Sequence, residues 1–180
     1  MPIQKYFIAI VVPEPFQYDI MAFKQLIADK YNSKAALRSP AHITLHMPFE
    51  WKEEKENILI ETLQQFSFKE DFVIELQNFS CFAPRVIFVD VLKSELLTKL
   101  QSDLVIYMKR NLLLFNQADD MRGFHPHVTI AFRDLRKEKF HGAFSYFKTQ
   151  TYNALFKAGS FCLLKHTGKE WKAHKEFPLS

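Results

Sequence analysis

Cysteine is nearly missing from this 180-residue chain: Cys81 and Cys162 stand alone and form no metal-binding spacing. That excludes a disulfide framework and a thiolate metal cluster, and leaves reduced, buried thiols as the expectation. Long apolar runs are missing too. The best candidate, residues 6–12 (YFIAIVV), lasts seven residues and then meets Pro13-Glu14-Pro15. It is neither a signal peptide nor a membrane span, so the reading is a cytoplasmic protein with no membrane partner. Glycines number four, and no Gly/Ser-rich or low-complexity stretch divides the chain. One domain over residues 1–180 is expected. A large excess of one charge is missing as well, with 24 Lys and Arg against 20 Asp and Glu. A net +4 and a pI near 9.0 suit a phosphate-bearing ligand but do not by themselves argue for nucleic acid.

What the chain has is apolar mass. It is 48% hydrophobic with nineteen phenylalanines, most of which must be core, because exposing them would leave large apolar patches. Residues 6–12 read as a strand buried on both faces. Phe16, Ile20, Phe23 and Ile27 recur at helical spacing, which predicts a helix over 15–31. A strand over 41–47 should stop at Pro48. A second helix is expected over 53–66, with Ile58, Thr62, Leu63 and Phe66 on one side. Residues 72–82 and 85–92 read as a hairpin turning at Ala83-Pro84. Ser94 is a plausible cap for a helix with Leu97, Leu100, Leu104 and Met108 in a stripe. Phe140, Phe144 and Phe147 mark another short helix. The spans 154–165 and 170–177 read as two strands, with Gly159 as a bulge.

Two short stretches stand out. His42-Ile43-Thr44-Leu45 and His127-Val128-Thr129-Ile130 share one pattern of histidine, apolar, threonine, apolar. In a strand, histidine and threonine then point to one side and the apolar residues to the other. With seven histidines and seven threonines, roughly a few per cent of shuffled chains would hold two His-x-Thr triplets, and fewer with both apolar anchors. The motif histidines lie half a chain apart, and the order of strands and helices around them repeats. The expected fold class is therefore α+β: two lobes related by a pseudo-twofold axis, which would bring the two motifs together across a central cleft. Paired imidazoles suit displacement at phosphorus, one ring neutral and one protonated near pH 6.5. Threonine hydroxyls beside them can hold phosphate oxygens. This chemistry asks for no cofactor and no metal.

On these two motifs, with Pro126 before the second and Ala131 after it, the chain resembles the two-histidine (2H) phosphoesterase superfamily, in its 2′-5′ RNA ligase-like and cyclic phosphodiesterase branch. The resemblance implies that each lobe is an antiparallel sheet with outer helices, with the motifs on facing inner strands. It also implies hydrolysis or reversible ligation of 2′,3′-cyclic phosphates or 2′-5′ linkages in small nucleotides or RNA ends. His42 and His127 become the catalytic acid and base, with His127 the base by analogy, and Thr44 and Thr129 the phosphate-binding residues. The chain departs from several relatives in carrying Phe132 where they carry a basic residue, with Arg133 one place later. A monomer is expected. The reading from another class is a non-catalytic nucleotide- or RNA-binding protein using the same cleft.

Neighbouring residues admit two readings each. His46 shares the motif's alternation, as pocket rim or as solvated strand end. Arg85, Arg122 and Arg133 could bind phosphate or be surface charges. Phe49, Trp51, Phe82 and Phe132 could stack on a base or pack in the core. His125-Pro126-His127 has a spacing found in metal sites, while Pro126 also suits a strand start. Lys165, Lys169, Lys172 and Lys175 could form a basic rim for RNA or a solvated hairpin.

Overall fold

The apolar run becomes the middle of a sheet. In the computed structural model, which describes residues 2–116 and 123–179, strand β1 (Ile3–Val11) lies between β2 (His42–Lys52) and β7 (Ser160–His166), with β8 (Trp171–Pro178) at the edge. Tyr6 to Ile10 are at most 3% exposed, as expected of a strand covered on both faces. A second sheet has the order β5 (His127–Ala131), β4 (Val86–Val91), β3 (Val73–Phe82), β6 (Asn153–Lys157). All pairings are antiparallel. The protein is thus α+β with two four-stranded lobes.

The lobes do not follow the halves of the chain. The first sheet takes both chain ends, and the second takes the middle. Gly159 is accordingly no bulge: residues 158–159 separate β6 from β7, and the chain changes lobe there. The helices are exchanged as well. Helix α1 (Phe16–Tyr31) follows β1 but packs on the second sheet beside α4 (Lys137–Lys148), with Phe23 edge-on against both Phe79 and Phe147. Helices α2 (Glu56–Gln64) and α3 (Glu95–Leu112) cover the first sheet, where Phe66 meets Phe161 and the Tyr107 hydroxyl donates to the Thr62 carbonyl at 2.9 Å. One apolar cluster runs through both lobes, so they share a core.

Several expected details hold and several change. Ser94 caps α3 by accepting from the Leu97 amide at 3.1 Å, and Leu97, Leu100, Leu104 and Met108 are buried. Of the face expected for the second helix, Leu63 and Phe66 are buried, but Leu59 is buried in place of Ile58, which is 50% exposed. Strand β2 runs through Pro48 to Lys52 because pairing with β1 shifts register twice between Tyr6 and Ala9. β2 holds extra residues there, and such irregularities accommodate a residue without an N–H. Among the described residues no helix is long and apolar enough to cross a membrane.

Candidate active site

Each motif begins its strand next to an inner partner. Val11 pairs with His42 and Ala9 with Thr44; Asp90 pairs with His127 and Phe88 with Thr129. The motif's apolar residues Ile43, Leu45, Val128 and Ile130 are at most 1% exposed, which turns histidine and threonine the other way. β2 and β5 face one another across the lobes, and His42, Thr44, His127 and Thr129 all line one cavity of about 490 Å³. A broader depression of about 540 Å³ over the start of β7 contains neither motif.

The two rings are held alike. His42 Nδ1 lies 2.7 Å from the Pro40 carbonyl, and His127 Nδ1 lies 2.7 Å from the His125 carbonyl. A carbonyl can only accept, so each neutral ring carries its proton on Nδ1 and leaves the Nε2 lone pair for chemistry. Each also leans on a phenylalanine, Phe7 at 4.8 Å from His42 and Phe88 at 4.9 Å from His127. Burial pushes His42 down to about 4, against the pull of the Pro40 carbonyl, with the charges of Lys24 and His127 adding to the depression. Burial also lowers His127, while its carbonyl bond and Asp90 draw it partly back. In the free cleft both rings are neutral at pH 7. Neither threonine hydroxyl is engaged within the protein among the described residues, so both can serve a ligand.

Helix α1 fixes the segment before His42. Gln17 accepts from the Ala41 amide at 2.6 Å and donates to the Ala41 carbonyl at 3.2 Å. Lys24, 1% exposed, donates to the Ser39 carbonyl at 2.9 Å, and burial pushes its ammonium down to about 7. The peptide bearing the Pro40 carbonyl is therefore clamped on both sides. Lys24 is legible in the sequence as an anomaly, a lysine in the apolar row between Ile20 and Ile27, yet its target is not.

The other expected residues divide. Phe132 and Arg133 line the cavity; Arg133 sits at φ 55° with its guanidinium 5.2 Å from the Phe132 ring centre. His46 does not line it. The extra residue in β2 makes Leu45 and His46 both buried, so alternation breaks and the ring packs edge-on against Phe49 at 5.3 Å. Met47 and Pro48 take the cavity position instead. Arg85 is exposed on the β3–β4 turn and is not in the cavity lining; Arg122 lies outside the described residues. Phe49 is core and Trp51 donates to the Lys55 carbonyl. Phe82 packs on Phe88 and edge-on against His127, supporting the ring and not lining the cavity. His125 turns toward Asp90, 3.7 Å away, and among the described residues no group of three metal-ligating side chains forms. The terminal lysines are partly engaged elsewhere: Lys165 binds Glu56 at 2.6 Å and Glu53 at 3.4 Å, and Lys172 pairs with Glu170.

Alternation and spacing do not reveal Phe7, Arg38, His166 or Trp171, all of which line the cavity. Phe7 bridges His42 to Trp171, which meets it edge-on at 4.7 Å and meets His166 at 4.8 Å. Only the fold brings the terminal hairpin to the first motif.

Comparison with known proteins bears on the family and the fold. Residues 12–170 match the family model described as the 2′-5′ RNA ligase superfamily. No curated protein matches significantly. Among solved structures, E. coli LigT in apo form is 19% identical with a TM-score of 0.68, the match covering 100% of this chain and 99% of that one. E. coli LigT complexed with 3′-AMP gives 19% and 0.65, covering 99% of each. The protein TT0787 of Thermus thermophilus gives 17% and 0.66, covering 97% of each. At such identities these likenesses establish the shared fold.

Proposed function

The chain belongs to the 2′-5′ RNA ligase superfamily, and from that premise we propose that it is a metal-independent phosphoesterase acting on 2′,3′-cyclic phosphates or 2′-5′ linkages of nucleotides or RNA ends. The observation that carries this reading is the matched pair of rings, each with Nδ1 tied to a carbonyl and both lining one cavity. A binding protein has no need of two imidazoles prepared in the same way. LigT, solved with 3′-AMP, supports a nucleotide-sized ligand.

The geometry supports the following steps. A phosphate sits between the motifs, its non-bridging oxygens accepting from the Thr44 and Thr129 hydroxyls. One Nε2 removes a proton from water as the water oxygen bonds to phosphorus. The bond to the 2′ or 3′ oxygen breaks, and the other imidazolium gives that oxygen its proton. A cyclic diester becomes a monoester beside a free hydroxyl. With a sugar hydroxyl in place of water the same exchange forms or breaks a 2′-5′ linkage. Both rings are lowered by burial. His42, held down to about 4, is the more surely neutral and so the candidate base. His127, lowered also by the charge of His125 but drawn partly back by its carbonyl bond and Asp90, is the candidate acid. That is the reverse of the order implied by the family resemblance. The phosphate's own charge then favours protonation of one ring on binding.

The test is a screen of nucleoside 2′,3′-cyclic phosphates and 2′-5′-linked dinucleotides with wild type and His42→Ala/His127→Ala, each with and without EDTA. Turnover that needs both histidines and ignores the chelator is expected. Nucleotide binding without turnover would make this a binding protein, and turnover abolished by EDTA and restored by one divalent metal would replace the mechanism.

A further inference from the structure

The proposed mechanism uses two imidazoles and two hydroxyls, yet two arginines that it does not need, Arg38 and Arg133, also line the cavity. Arg38 comes from the single turn Ala35–Arg38 that leads into the first motif, and Arg133 from the turn after the second. Arg38 lies four positions before His42, and Arg133 four positions after Thr129. Arg38 therefore precedes β2 while Arg133 follows β5, and the structure brings these two strand ends together. Asp134 is the link. It accepts from the Ser33 hydroxyl at 2.7 Å and from the Lys34 and Ala35 amides at 2.8 and 3.0 Å. Those bonds dock the turn bearing Arg133 onto the turn bearing Arg38. Both arginines are exposed, and among the described residues neither has a carboxylate partner. Asp134, the one carboxylate lining this cavity among the described residues, is turned to Ser33 and the two amides.

Charge decides what these groups can serve. A phosphodiester carries one negative charge, and its two free oxygens are already matched to Thr44 and Thr129. A guanidinium, by contrast, offers a planar fork suited to phosphate. Resting on the phosphoesterase reading, we propose that Arg38 and Arg133 form a subsite for a second phosphate. The substrate is then a nucleotide or RNA end carrying at least one phosphate beyond the one that reacts.

The test compares three substrates: adenosine 2′,3′-cyclic phosphate, the same molecule with a 5′-phosphate, and a diadenosine dinucleotide ending in the cyclic phosphate. Wild type should show kcat/KM about tenfold or more higher for one or both phosphate-bearing substrates. Preference for the 5′-phosphate identifies a terminal phosphate, and preference for the dinucleotide an internucleotide one. In Arg38→Gln and Arg133→Gln the ratio to the bare cyclic phosphate should fall toward one. It should also shrink with added salt. Arg110→Gln on α3 controls for loss of charge and should keep the wild-type ratio. Equal use of all three substrates by wild type would overturn the inference while sparing the phosphoesterase reading. So would arginine variants that lose all three alike, which would place the guanidiniums on the reacting phosphate. Turnover of none would sink the parent reading itself.

Discussion

A neutral imidazole is far less costly to bury than a charged one, and His42 and His127 are both held neutral for that reason. The sign of the pH effect follows. With His42 as base, kcat/KM should fall as pH drops through about 4. With His127 as acid, it should fall as pH rises through a value below 6.5. A pH profile should therefore be a bell centred on the acid side of 6.5; an optimum above 7.5 would show that these rings do not titrate as the free cleft dictates. Stability carries the same signature. Between about 6.5 and about 4 the unfolded chain binds a proton at His42 that the folded protein refuses, so unfolding free energy should decline as pH falls through that window. If Thr44 and Thr129 hold phosphate oxygens as proposed, Thr44→Ala or Thr129→Ala should cost about 1–3 kcal/mol of transition-state stabilisation, read from kcat/KM. His46→Ala should behave differently. It empties a core position against Phe49 and should cost about 2–4 kcal/mol in urea unfolding, with turnover near wild type.

At the scale of elements, α1 is the piece that sets the first motif. Lys24→Met keeps an apolar stem in the helix but removes the donor to Ser39 and the cationic charge near His42. Turnover should fall about tenfold as the segment before His42 loosens, and the acid limb of the pH profile should move upward. A purely structural role would lower the rate without moving that limb. The same elements show what is readable from sequence. The buried strand β1, the stripe of α3 and its Ser94 cap are local patterns, and local patterns survive translation into structure. The extra residues in β2 are not local. They depend on how Ile8 and Ala9 pair across the sheet, and one such shift moves His46 from the expected cleft side to the core. Gly159 reads as a bulge for a similar reason, since an extended run looks the same whether it stays in one sheet or changes to another.

For the whole molecule, the cleft exists because the chain ends build one lobe and the chain middle the other, with helices exchanged between them. The paired motifs make that cleft foreseeable, because two equivalent strands half a chain apart need a relation that brings them face to face. Residues joining the site from elsewhere have no such echo. Trp171 and His166 arrive from the terminal hairpin and Arg38 from a single turn, positions that only the assembled fold reveals. The central claim is that His42 and His127 work as one acid–base pair across the lobes. The most direct measurement is kcat on the best cyclic phosphate for wild type, His42→Ala, His127→Ala and the double variant. Each single change should cost roughly 10²-fold or more, and the double variant should lose much less than the product, since half of the pair accomplishes little. Losses that multiply in the double variant, or a single variant with wild-type turnover, would contradict the account.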